Sequence, residues 1–288
     1  MDKDDSVLAE IFAHLEQGEV VPYLGPGVLD LVAGECPVPK SPAALVQRLV
    51  AKSSVPHKIR NNLTAAAQYI ENFKHRKTLV GHMTDAFAPP VEPTALHRYL
   101  AKITREPLLI VDTWYDNAMA SAMESRRLWG QIQGVSQSEH FGTWTHYFRQ
   151  NGAQGDPMEA ETWPAILYKP LGGIAPAKNF LVSDTDFVEV LTEIDIQTPI
   201  PAIVQELRTD RHFLFLGCRF RNQLERTFAR QIMKRSSALH WAVLPGELTR
   251  NEARFLQEQN IRRLDIPLDA FQELLCGAKT AESLAVAV

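Results

Sequence analysis

Cysteine is scarce in this chain: Cys36, Cys218 and Cys276 are the only three in 288 residues, and they lie far apart. No C-x-x-C pair exists, so a four-cysteine structural zinc site is excluded, no metal is expected, and a reducing compartment is the simplest setting. An excess of one charge is also lacking. Thirty basic residues against thirty-four acidic ones leave a net charge of −4, without the basic field that advertises nucleic-acid binding. No apolar run approaches the ~20 residues of a membrane span. The start, Met1-Asp2-Lys3-Asp4-Asp5, is acidic and has no apolar signal-peptide core. A soluble, cytoplasmic protein without nucleic-acid or membrane partners is the expectation.

Apolar residues make up 45% of the chain, enough for a large core. The organising stretch is Val20-Val21-Pro22-Tyr23-Leu24-Gly25-Pro26-Gly27-Val28-Leu29, an apolar run of strand length that ends in a glycine pair. Glycine there lets the backbone approach a pyrophosphate, with outward amides as an anion site. An ordinary strand-to-loop turn is the alternative. The full G-x-G-x-x-G fingerprint is absent, because no third glycine follows at the right spacing.

Strand and helix alternate along the rest. Helices are expected over 6–18, 41–51, 59–73, 76–87 and 93–100, then a strand at Pro107–Asp112 whose unbroken apolar character suits burial on both faces. Thr113-Trp114-Tyr115-Asp116 ends that strand, where open α/β sheets bind ligands. Residues 127–168 alternate like a hairpin and are read as a small inserted lobe. Ile166–Lys169, His212–Leu216, His240–Leu244 and Ile261–Ile266 read as further strands. Helices follow from Ser183 through Ile194, over 203–207, from Asn222 to Met233, over 249–259 and over 268–275. The expected fold is α/β, a Rossmann-like doubly wound parallel sheet. One domain would fill 1–278, with a flexible tail at 279–288.

Four stretches stand in order at strand ends: L-G-P-G-V at 24–28, V-D-T-W-Y-D at 111–116, Y-K-P-L-G-G at 168–173 with S-D-T-D-F at 183–187, and F-L-G-C-R-F-R-N at 215–222. Together they resemble the sirtuin-like domain family, in the zinc-free branch found in bacterial NAD-cleaving effectors. The resemblance covers about residues 18–276. It implies NAD or an ADP-ribose derivative lying across the strand ends, and no zinc. Gly25, Pro26, Gly27 and Val28 would meet the diphosphate through backbone amides. Thr113, Trp114, Tyr115 and Asp116 would stand by the nicotinamide ribose, with Gly217, Cys218 and Arg219 on the adenosine side. The stretches R-F-R-N-Q-L and F-K-H-R-K-T-L further resemble sirtuin-like proteins encoded near nitrogen-fixation genes, which implies a protein partner in that setting.

The departures are as informative. The family's T-N-Y-D asparagine is Trp114 here, and the K-L-H-G histidine, its general base, is Leu171. Leucine takes no proton, and general-base chemistry needs a group that titrates near the working pH. Leu29 and Arg219 stand where the family has serines. Asp112 and Asp116 are the candidate catalytic carboxylates, with a helix cap or a solvated carboxylate as the alternative for each. Arg219 and Arg221 suit either a phosphate or salt bridges, and Cys218 either a reactive thiol or a small buried residue. His97 reads as a packing or capping histidine. His140 and His146 lack a third metal ligand, and the tryptophans at 114, 129, 144 and 163 suit ring stacking or lobe packing.

Three functions follow. The first is a pseudoenzyme that keeps a nucleotide site as sensor or partner-binding module. The second is an NAD glycohydrolase or ADP-ribosyl-processing enzyme with a rearranged site built on Asp112 or Asp116. The third is an interaction scaffold whose cleft Trp114 fills.

Overall fold

The computed structural model describes the backbone over residues 3–193 and 199–285 and side chains over 6–193 and 199–277. In chain order, α1 (Lys3–Gln17) leads into β1 (Val20–Leu24) and a 3-10 helix, Pro26–Leu31. Then come α2 (Pro42–Lys52), α3 (Leu63–Lys74), α4 (Arg76–Phe87), α5 (Ala95–Ala101), β2 (Leu108–Asp112) and α6 (Ala118–Met123). The next stretch holds β3 (Gly130–Gly134), β4 (Thr145–Arg149), α7 (Pro157–Ala160), β5 (Ala165–Lys169), β6 (Gly172–Gly173), β7 (Asn179–Phe180) and α8 (Asp184–Glu193). The chain closes with α9 (Ala202–Arg208), β8 (His212–Leu216), α10 (Gln223–Ile232), β9 (His240–Val243), α11 (Arg250–Glu258), β10 (Ile261–Leu264) and α12 (Leu268–Ala285).

Eight of these strands form one sheet in the order β10-β9-β8-β1-β2-β5-β3-β4, parallel except for β4, which is antiparallel to β3. Helices cover both faces, and the strand sequences show why. Val21 and Tyr23 of β1 join Phe213 and Phe215 of β8 in the core under α2, α3 and α4. Val20 and Leu24 join Leu214 and Leu216 in the core under α1, α5, α6 and α12. A strand with apolar side chains at every position buries both faces, as the unbroken runs predict.

Local signals place several helix starts. Ser41 accepts the Ala44 amide at 3.1 Å with Pro42 first in the helix, and Thr249 and Glu252 form the capping box expected before α11. The helix expected from residue 59 begins only at Leu63, because Asn62 caps it by accepting the Ala65 amide at 3.2 Å. Three expectations change. The β3–β4 hairpin is not a separate lobe: β3 lies beside β5 and extends the main sheet. The smaller packed unit is helical instead, α2 to α4, between β1 and β2. The last helix also runs on to Ala285, through most of the stretch read as a tail. Ile194 and residues 286–288 lie outside the described residues. Among those described, no helix is long and apolar enough to cross a membrane.

Candidate functional site

Strand β1 has β2 on one side and β8 on the other, so the chain order reverses there and a crevice opens at the strand carboxyl ends. The crevice is a cleft of about 660 Å³. Its floor is the three strand-end turns, and its far wall comes from the starts of α2 and α3 with Ser41 and Asn62. Gly25, Pro26, Gly27, Thr113, Trp114, Tyr115, Gly217, Cys218 and Arg219 all line it. Val28 does not; it is buried in the opposite core.

The first glycine turn differs from the expected phosphate cradle. Gly25 N–H donates to the Leu216 carbonyl at 2.9 Å, Gly27 N–H to the Gly217 carbonyl at 2.8 Å, and Val28 N–H to the Gly25 carbonyl at 3.2 Å. Pro26 has no N–H to offer. These amides are engaged within the protein, and the glycines serve close packing of two turns. A Cβ on Gly25 would sit 2.6 Å from the Gly217 carbonyl oxygen. Gly217 itself has φ +65°, and a Cβ there would meet Val28 N at 2.2 Å.

The end of β2 is locked as firmly. Asp112 is buried, accepts the Trp114 amide at 3.0 Å, and pairs with Lys169 Nζ at 2.5 Å. Burial pushes its carboxyl up against the pull of that ammonium. Asp116, also buried, accepts the Ala118 amide at 2.9 Å at the start of α6. Neither carboxylate lines the cleft, so the two candidate catalytic aspartates hold the turn together instead of facing a ligand. Thr113 donates through both its amide and its hydroxyl to the Leu24 carbonyl, at 2.9 and 2.8 Å. The Trp114 indole donates to the Pro39 carbonyl at 2.7 Å and meets the Phe87 ring edge-on at 5.8 Å, which fixes one wall of the cleft. Leu171 lines the same cleft and presents only methyl groups.

On the β8 side, burial pushes the Cys218 thiol far up, and its Sγ lies 3.5 Å from two carbonyl oxygens. Arg219 grips Glu252 with two bonds, 2.8 and 3.1 Å, and also donates to the Pro245 and Glu247 carbonyls. Burial works against ionisation of Glu252, yet the bonds from Arg219 and Thr249 hold its carboxyl at about 2. Arg221, exposed at the cleft, makes no ion pair among the described residues.

Several cleft residues, Glu225, Asp30 and Lys40 among them, are not singled out by the sequence. Glu225, in the first turn of α10, accepts the Asn222 amide at 3.1 Å and has no cationic partner in an ion pair among the described residues. Burial pushes its carboxyl up. The signal was the N-x-x-E capping box at 222–225, which reads as helix chemistry and says nothing of the cleft. The buried Tyr23 phenol, raised by burial and by nearby Cys218 and Glu225, lies in the same lining.

The remaining candidates are structural. His97 caps α5 with Thr94 and is held at about 4 by burial. His140 and His146 have ring centres 4.8 Å apart, and no third ligand joins them among the described residues. Of the four tryptophans singled out, only Trp114 lines the cleft.

A mostly parallel sheet with helices on both faces and a cleft at its switch point defines an α/β protein of Rossmann-like class. The chain belongs to the SIR2-like domain family, whose family model matches residues 108–264. That match takes in the turns after β2, β5 and β8 and leaves out the first glycine turn. The family is one of NAD-related function. No curated protein matches the chain.

Proposed function

We propose that the cleft binds NAD or an ADP-ribose-type nucleotide without sirtuin-type cleavage, and that the protein acts as a sensor or partner-binding module. The observation that carries this is the pairing of Leu171 and Trp114 in the cleft wall. They stand where the resemblance places the general base and the ribose-orienting asparagine. Leucine has no proton acceptor, and the Trp114 ring is tied to the Pro39 carbonyl and offers no other polar atom.

The residues fit a nucleotide in a particular way. The cleft volume lies within the usual ~300–1,000 Å³ of small-molecule sites. With the amides of the first turn engaged, phosphate charge falls to the guanidinium of Arg221, which has no acidic partner among the described residues. The Glu225 carboxylate is suited to accept ribose hydroxyls.

The test is a proton NMR time course of the protein with NAD, together with saturation transfer. The expected result is transfer to the adenine protons with no free nicotinamide beyond a heat-killed control. Silence in both would sink nucleotide binding and leave an interaction scaffold. Nicotinamide release would overturn the disabled-site reading and favour the second, an NAD glycohydrolase or ADP-ribosyl-processing enzyme. One observation supports that second reading: Glu225 is a raised carboxyl facing the cleft, as a general base requires, whereas Asp112 and Asp116 are not in the lining.

A further inference from the structure

At the opposite ends of the same strands, three side chains with metal-binding atoms converge. His14 lies in the last turn of α1, Glu19 just before β1, and His212 opens β8. Backbone bonds string them together: Glu19 N–H donates to the His14 carbonyl at 3.0 Å, and His212 N–H to the Glu19 carbonyl at 2.8 Å. One ligand atom from each lies within 4.8 Å of the other two. We propose that His14, Glu19 and His212 form a site for a first-row divalent ion of the zinc, cobalt or nickel type.

The hydrogen bonds assign the ligand atoms. His212 Nδ1 lies 2.8 Å from the Leu239 carbonyl, which only accepts, so this nitrogen carries the proton and Nε2 keeps its lone pair. An outer carbonyl that fixes the tautomer in this way is the usual support of a metal-bound histidine. His14 Nδ1 and Glu19 Oε2, 2.6 Å apart, share a proton that the incoming ion displaces. The ion then bonds His14 Nδ1, Glu19 Oε2 and His212 Nε2, and the displaced proton passes through solvent to His14 Nε2, so that imidazole stays neutral. Tetrahedral bonds of about 2.0–2.1 Å need ligand atoms roughly 3.3 Å apart. The carboxylate, half-exposed, has the freedom to open to that spacing. Two imidazoles and one carboxylate favour these ions over calcium or magnesium, and solvent completes the shell. The fully buried Trp241 ring, 5.6 Å from the His14 ring and 4.9 Å from that of His212, walls the site on the protein side. The ion would clasp α1 to β8, away from the cleft.

The experiment titrates Co2+ into untagged, chelator-stripped protein, by calorimetry and by visible d–d absorption. The expected result is one ion per chain. At a hundredfold excess over Kd, the melting temperature should rise by roughly 5 °C. Glu19→Gln, at a half-exposed position that leaves the fold intact, should weaken binding at least tenfold, and His14→Ala with His212→Ala should abolish it. Binding unchanged in both variants, or lost only when His140 and His146 are replaced, would overturn the proposal, as would the absence of any one-to-one step.

Discussion

The amide of Gly27 donates to the carbonyl of Gly217 across 2.8 Å, so the turn after β1 and the turn after β8 are one interlocked piece of backbone. The glycines on both sides are required by that contact before any ligand enters.

Gly217→Ala is therefore expected to destabilise the protein by about 1–3 kcal/mol, through overlap with Val28 N and a positive φ. Gly25→Ala should act in the same direction, since its Cβ would lie 2.6 Å from the same carbonyl oxygen. Urea unfolding measures both. An unchanged midpoint in both variants would show that the two turns separate at no cost.

Arg219→Ala should cost about 1.5–3 kcal/mol, because it removes the paired cation from the buried Glu252 carboxylate and leaves it only the bonds from Thr249 and the Phe220 amide. The pH sign follows from the depressed carboxyl. The ordinary value is 4.5 and the folded value about 2, so its contribution is present above about pH 4.5 and is lost as pH falls toward 2. Glu252→Gln should flatten that part of the stability curve, measured by urea unfolding at stepped pH.

Glu225 has the opposite sign. Its folded carboxyl titrates above the ordinary 4.5, so the folded state is penalised at neutral pH and regains stability as pH falls through the raised value. Glu225→Gln should leave stability at pH 7 unchanged or slightly higher while weakening the proposed nucleotide binding about tenfold, the scale of one lost charge-assisted hydrogen bond. Equal binding by the two proteins, followed by saturation transfer, would remove Glu225 from the site.

His97 and His240 are each held at about 4 by burial, against an ordinary 6.5. A histidine kept neutral in the fold binds protons better when unfolded, so stability should fall as pH drops from about 6.5 toward 4. For His97 the loss should reach about 3 kcal/mol. Guanidinium unfolding at pH 7.5 and 4.5 checks this, and a flat response would contradict it.

The α/β class and the strand ends were legible because unbroken apolar runs such as Phe213–Leu216 can only be buried on both faces. Caps such as Ser41 and Thr249 were legible for a local reason: the bond they make spans three residues. The hairpin at 130–149 was misplaced because alternation reveals pairing between β3 and β4 and is silent about β5, the third neighbour.

By itself, the sequence determined the layered α/β architecture. Tertiary structure alone decided where hydrogen-bond donors and carboxylates point. Gly25 and Gly27 turn their amides to β8 and its following turn, Asp112 turns inward to Lys169, and Glu225 faces the cleft. It also brought His14 and Glu19 to His212, through the parallel register of β1 with β8. Such contacts join residues far apart in the chain, and no local pattern of apolar and polar residues encodes which partner a buried polar atom will find.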